Sequence, residues 1–102
     1  MSIKLPTRDE FFACLHGRFR ALNVEPQPVD LELIEVSEVK ESQRQVSFSI
    51  FLLGPAEGML PQHIYTLQHE TLGELDLFLV PVGKREHGFE YQAVFNQLKP
   101  RA

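Results

Sequence analysis

The sequence predicts a mainly β protein, a small six-stranded antiparallel barrel or strongly bent sheet with one N-terminal α-helix. Most of the chain after residue 18 alternates apolar and polar side chains with a period of two. Clusters of glycine, proline and polar residues separate the alternating segments, as expected for turns. Because 102 residues suffice for one hydrophobic core and not for two, we predict a single domain over residues 1–102.

The first predicted element is a helix capped by Thr7. Thr7 and Glu10 have the spacing of a capping box, in which each side chain accepts the backbone N–H of the other residue. Phe11 and Leu15 lie four residues apart and belong to an apolar stripe that faces inward. Gly17 is the expected end of the helix. Such a helix of about ten residues is ~15 Å long, and we expect it to plug or cover part of the core.

Six strands are predicted to follow the helix. They cover residues 18–22, 29–39, 45–53, 62–69, 72–82 and 89–96, and a polar turn occupies residues 83–88. In the second strand the apolar face changes between Leu33 and Ile34, which predicts a β-bulge. The inward positions predicted to form the hydrophobic core are Phe48, Ile50, Leu77, Leu79, Tyr91 and Phe95.

The fifth predicted strand is apolar on both faces. One face carries Leu75, Leu77 and Leu79, and the other carries Phe78, Val80 and Val82. A strand buried on both faces needs a second layer outside it, which is either the helix or another subunit, and the helix is too short to cover the whole sheet. We therefore predict that this outer face associates with a second copy of the chain or with a partner protein. Pro81 cannot donate to a neighbouring strand, which favours side-by-side burial over continuous strand pairing.

The charge pattern argues against a nucleic-acid partner. The net charge is −4, and the basic residues are scattered rather than collected in a patch. An acidic stretch over residues 30–41 is either a solvated strand face or a docking face for a basic partner. Residues 1–6 are too short and polar for a signal peptide, and no apolar run approaches the ~20 residues of a membrane helix. We therefore expect a soluble cytoplasmic protein with no membrane partner.

The sequence contains no recognisable catalytic, cofactor-binding or metal-binding motif. His63 and His69 share a strand face, but six residues separate them by roughly 20 Å, too far for one metal ion. Glu70 and Glu74 form an acidic pair of the kind that any acidic chain contains by chance, and the strand serines lack a glycine elbow. The single cysteine, Cys14, lies among apolar residues and is expected to be a buried, inert thiol. We predict that the protein is not an enzyme and binds no metal or cofactor.

Two segments carry a resemblance to a known family. Residues 60–83 read LPQHIYTLQHETLGELDLFLVPVG, and residues 91–96 read YQAVFN. This pattern resembles the DUF6916 family, a small family of bacterial domains of unknown function. The resemblance implies no activity, and it implies an association with phage-tail-like assemblies. Within the motif, Tyr65 and His69 share a strand face, and each has a polar group that needs a partner if it is buried; the sequence leaves open whether they are structural or functional.

Two functional hypotheses follow from the sequence. The first is a non-enzymatic protein-interaction or structural accessory module, indicated by strands that are apolar on both faces and by the missing chemistry. The alternative is a small-molecule-binding β-barrel, because small barrels hold ligands in their interior or at their mouth. A deep pocket lined by phenylalanine, tyrosine and histidine favours the alternative, and a flat apolar patch favours the interaction module.

Overall fold

The computed structural model describes residues 6–98, which form one short helix and seven antiparallel strands joined by turns and loops. Residues 1–5, within the segment considered for a signal peptide, lie outside the described residues. The elements are α1 (Arg8–Phe12), β1 (Arg18–Ala21), β2 (Val29–Val36), β3 (Lys40–Glu41), β4 (Gln45–Gly54), β5 (His63–His69), β6 (Gly73–Arg85) and β7 (Gly88–Leu98).

Six of these strands close into the predicted antiparallel barrel. Their order around the barrel is β2-β1-β5-β6-β7-β4, and pairing between β2 and β4 completes the circle. The long strand β6 pairs with β5 up to Leu79 and with β7 from Val80 onward. The register of β6 and β7 shifts between Pro81 and Gly83, so a bulge bends the strand where it changes its pairing. Pro81 lies beyond the end of the β5 ladder, where its missing N–H leaves no gap in that pairing.

The core lies inside the barrel, at the alternate positions of each strand. Ile50, Leu79 and Tyr91 are fully buried and Leu77 is nearly so, which confirms four of the six predicted core residues. Phe48 and Phe95, the other two, are only partly buried and pack against this core. The two rings stack on each other at 4.9 Å between centroids. Further core residues, beyond the six predicted from the strands, include Phe11, Phe19, Leu31, Leu33, Leu52, Tyr65 and Leu67.

The helix is shorter than predicted and closes one end of the barrel. The capping box of Thr7 and Glu10 is present, and the helix ends at Phe12 rather than near Gly17. Three (i, i+3) hydrogen bonds follow, and the backbone N–H of His16 donates to the carbonyl of Leu33 at 2.7 Å. This contact with β2 stops the helix early. The ring of Phe11, fully buried, lies 5.2 Å from Phe95 and 6.3 Å from Phe48, so the helix acts as a plug.

In the β2–β4 region, the structure confirms one sequence prediction and corrects another. The predicted β-bulge is present, because the register of β2 on β4 shifts between Leu33 and Glu35. The strand β2 ends at Val36, three residues before the predicted end, and the two-residue strand β3 was not predicted. Strand β3 is exposed along its length and pairs only with Val46 and Ser47 of β4. It has no apolar alternation that a sequence pattern would detect.

Candidate functional site

Two surface features of the barrel are candidate functional sites. The first, here called the outer apolar face, consists of the outward residues Ile64, Phe78, Val80 and Val94 on β5, β6 and β7. Ile64 is 56% exposed, Phe78 51% and Val94 56%. Ile64 and Phe78 lie directly opposite each other in the β5–β6 ladder, so their side chains are close neighbours on the surface.

Nothing in the described residues covers the outer apolar face. The helix, which was one expected cover for Phe78 and Val80, packs with Phe11 against Phe48 and Phe95 at an end of the barrel. A polar pair borders the face on one side. The hydroxyl of Thr66 donates to Asp76 at 2.7 Å, one outward position along from the Ile64–Phe78 pair. The face is therefore an apolar patch that ends at a polar pair on that side.

The second feature, here called the His69 cleft, lies where β1 and β5 separate. The ladder between these strands contains only the pairs Arg20↔Gln68 and Ala21↔Leu67. Beyond it the strands diverge and leave an open concavity of about 1010 Å³. Its lining consists of His16, Gly17, Arg18, Arg20, Gln68, His69, Glu70, Gly73 and Glu74. Sequence reasoning identified His69 as a residue to examine but gave no sign of this cleft.

The ring of His69 is held in one orientation by the turn that follows it. Its Nδ1 accepts the backbone N–H groups of Thr71 at 3.0 Å and Leu72 at 3.2 Å. The ring also packs on Phe19, with 4.5 Å between centroids. Because Nδ1 acts as an acceptor twice, the ring proton of the neutral imidazole lies on Nε2. The turn continues through Gly73, whose φ of 77° favours glycine.

The Nε2 atom of His69 faces the cleft. The side chain is almost entirely buried, with 8% of the residue exposed. No described residue forms a hydrogen bond with Nε2, and no enclosed side-chain nitrogen or oxygen in residues 6–98 lacks a partner. Nε2 therefore reaches the open space of the cleft. Gly17 makes this possible, because a Cβ at residue 17 would lie 3.2 Å from Nε2 and 2.8 Å from the carbonyl oxygen of Cys14.

The tautomer of His69 restricts its chemistry to donation. A metal ligand or general base needs a free nitrogen lone pair, and the lone pair of Nδ1 already accepts two N–H groups. His63, the other histidine of β5, is exposed. In the described part of the chain, no three histidine, cysteine, aspartate or glutamate side chains are grouped as ligands for a metal ion.

The walls of the His69 cleft carry charges of both signs. On β1, Arg20 donates through Nε to Asp30 at 2.9 Å, and Arg18 lies 3.9 Å from the same carboxylate. The hydrogen bond from Arg20 lowers the pKa of Asp30. On the opposite wall, Glu70 and Glu74 form no ion pair with any residue in 6–98. The acidic stretch predicted from the sequence is thus partly paired within the chain.

Tyr65 has a structural role. Its hydroxyl donates to the carbonyl of Pro61, and the hydroxyl of Tyr91 accepts the backbone N–H of Leu60 at 2.6 Å. The two tyrosines hold the Leu60–Pro61 segment against the barrel. Burial raises the pKa of both phenols. Tyr65 has a partner for its polar group, whereas His69 keeps one polar atom free of protein partners.

The remaining candidate group, Cys14, is not an activated nucleophile. The side chain is half-buried, and burial is the main reason that the pKa of its thiol is raised, with smaller contributions from Glu10 and Glu70. A raised pKa lowers the thiolate fraction, which is the reactive form. No helix within residues 6–98 is long and apolar enough to cross a membrane.

Together these features define a small six-stranded antiparallel β-barrel that is plugged by a short helix at one end. The chain belongs to the DUF6916 family, a domain of unknown function, whose family model matches residues 6–95. The resemblance inferred from the sequence is thereby confirmed. No curated protein and no solved structure matches the chain. The family match includes both the outer apolar face and the His69 cleft.

Proposed function

We propose that this protein is a non-enzymatic interaction or structural accessory module that binds a protein partner through its outer apolar face. The observation that carries the proposal is the exposure of Ile64 and Phe78, which are each more than half accessible and lie directly opposite each other in the β5–β6 ladder. Large apolar side chains that are gathered on a surface typically mark sites of protein contact.

The outward side chains determine how such a partner binds. Strands β5, β6 and β7 each have neighbours on both sides, but β6 pairs with β5 only up to Leu79 and with β7 only from Val80. The apolar surface itself is formed by outward side chains and not by a strand edge, so we expect contact through side chains, in agreement with the side-by-side burial inferred from Pro81. The family resemblance suggests a phage-tail-like assembly as the setting.

The proposal is tested by removing apolar surface without disturbing the fold. In the double variant Ile64→Thr, Phe78→Ser, two exposed residues lose apolar area while both strands keep their outward alternation. We expect the tagged wild-type protein to retain a specific partner from its native host, and the double variant to lose it. Light scattering at several concentrations reports whether the partner is a second copy of the chain.

A matched control is Met59→Ser, because Met59 is also exposed, at 56%, but lies in the loop before β5 and not on the outer apolar face. This control is expected to retain the partner. The proposal is wrong if wild-type protein is monomeric and retains no partner, or if the double variant and the control bind equally well.

A small-molecule-binding barrel is the second candidate. A concavity of about 710 Å³ lies beside α1, between the helix and strands β4 and β7, and Phe48 and Phe95 contribute to its lining. Core side chains such as Tyr91 fill the barrel at its centre, so a ligand would bind at this mouth. Thermal-shift screening of small apolar compounds tests the candidate. We expect a true ligand to lose its stabilising effect in the variant Val46→Asp, which places a charge in the lining.

A further inference from the structure

The His69 cleft presents a hydrogen-bond donor that the fold does not use. His69 is 8% exposed and lines the cleft, its Nδ1 accepts two backbone N–H groups, and its Nε2–H has no partner among the described residues. A buried polar group with a free donor has a preference for one kind of ligand atom, an acceptor oxygen or nitrogen. The fold gives this donor a fixed position, because both the turn and Phe19 hold the ring.

The charged side chains around this donor further restrict the class of ligand that the cleft can bind. Arg18 approaches Asp30 only to 3.9 Å and has a side chain 72% exposed, so its guanidinium has N–H groups available to a ligand. Across the cleft, the carboxylates of Glu70 and Glu74 have no ion-pair partner in the described residues. One wall is therefore suited to an anion and the other to a cation.

We propose that the His69 cleft binds a small zwitterion, a molecule with one carboxylate and one ammonium group, of which a free amino acid is the simplest. The carboxylate accepts from Nε2–H of His69 and from the guanidinium of Arg18. The ammonium group donates to Glu70 and Glu74. A simple anion is repelled by the two glutamates, and a simple cation is repelled by the arginines of β1.

Metal ions are the main competing class of ligand, and His69 disfavours them. Coordination through Nε2 requires the ring proton to move to Nδ1, where it faces the N–H groups of Thr71 and Leu72. Two donors would then point at a third. A zwitterion uses the existing proton and leaves the turn unchanged.

The test compares three probes on the full chain by nuclear magnetic resonance. Free L-alanine carries both charges, acetate carries only the carboxylate, and methylammonium carries only the cation. We expect alanine to shift the Nε2 signal of His69 and to saturate in the millimolar range, and we expect acetate and methylammonium to bind at least tenfold more weakly. The proposal is overturned if alanine causes no saturable shift, or if acetate or methylammonium binds as tightly as alanine.

Exposed variants separate binding from folding. Arg18→Gln and Glu74→Gln remove one charge from each wall at solvent-accessible positions, and each is expected to weaken alanine binding about tenfold. Arg44→Gln and Glu57→Gln are the matched controls, because both residues are exposed and neither lines the cleft. Equal affinity in all four variants overturns the proposal. His69→Gln adds a direct test, because glutamine retains both an acceptor and a donor and is expected to bind alanine more strongly than His69→Phe.

Discussion

The two sides of the barrel follow the same alternation and differ in what they present to the outside. On β5 and β6, the outward positions include Ile64 and Phe78, both more than half exposed. On β1 and β2, the outward positions include Arg20 and Asp30, which lie opposite each other in the ladder and form a hydrogen bond at 2.9 Å. The inward positions of both sides are apolar, apart from His69 on β5.

This difference shows which residues the fold requires and which it leaves open. A barrel needs apolar side chains inside, and both sides supply them. The outward positions contribute little to folding, so they are free to be charged, as on β1 and β2. Apolar residues at the outward positions of β5 to β7 are therefore not explained by folding, and this is the reason for our proposal that they contact a partner.

The largest expected effect distinguishes an inward residue from its outward neighbour. Leu79 is fully buried and Phe78 is 51% exposed, although they are adjacent in β6. Leu79→Ala removes buried methyl groups and leaves a cavity, so we expect a loss of about 2–5 kcal/mol in the free energy of unfolding. Phe78→Ala is expected to cost less than about 1 kcal/mol. Urea unfolding measures both. Equal losses would show that Phe78 belongs to the core and not to a contact surface.

A second comparison concerns the aromatic cluster at the plugged end of the barrel, which consists of Phe11, Phe48 and Phe95. The ring centroid of Phe48 lies 4.9 Å from that of Phe95, on which it stacks, and 6.3 Å from that of Phe11. Phe48 is nevertheless only partly buried. We expect Phe48→Ala to lower the free energy of unfolding by about 3 kcal/mol, the lower end of the range for a buried phenylalanine. Phe12→Ala is the control, because Phe12 is 52% exposed on the outer side of α1. A loss below about 1 kcal/mol for Phe48→Ala would show that the plug does not stabilise the barrel.

Periodicity was a good guide wherever a strand has one buried face. The six barrel strands, the capping box at Thr7 and the bulge after Leu33 were all predicted from local patterns. The end of α1 was not, because the N–H of His16 donates to Leu33, a residue distant in the sequence. Strand β3 was missed since its two residues are exposed. Local patterns thus predicted the elements, and tertiary contacts determined where some of them end.

The candidate site was less predictable than the fold. The alternation of side chains along the strand placed Tyr65 and His69 on one face, and both are indeed buried. This alternation did not distinguish the tyrosine, whose hydroxyl donates to the carbonyl of Pro61, from the histidine, whose Nε2 has no partner among the described residues. That distinction depends on the separation of β1 from β5, and no residue pattern along the chain encodes a gap between two strands.

The stability contributed by Tyr65 on β5 and by Asp30 on β2 is expected to be lost at opposite ends of the pH range. Burial raises the pKa of Tyr65, so the folded state keeps the phenol protonated after the unfolded state has begun to ionise near pH ~10. The stability contributed by Tyr65 is therefore complete below that pH and declines as the pH rises through the folded pKa. Tyr65→Phe is expected to cost about 1 kcal/mol at neutral pH, through the lost hydrogen bond to Pro61.

The same variant is expected to show a shallower decline in stability above about pH 10 than the wild type. Urea unfolding at several alkaline pH values measures the slope. Some decline remains in the variant, because burial also raises the pKa of Tyr91. An unchanged slope would show that Tyr65 ionises equally easily in the folded and unfolded states.

The smallest expected effect lies on the charged side. The hydrogen bond from Arg20 lowers the pKa of Asp30, so its stabilisation is complete above the unfolded pKa near ~4 and is lost as the pH falls through the folded value. Because both side chains are nearly half exposed, at 49% and 44%, solvent screens the pair. We expect Asp30→Asn to cost less than about 1 kcal/mol at neutral pH and to lose stability less steeply in acid. High salt should reduce the difference from wild type, and Glu57→Gln, which removes an exposed carboxylate, should show neither effect. A loss as large as that of Leu79→Ala would mean that the charged side is also required for folding, and the contrast with the outer apolar face would then no longer separate folding from function.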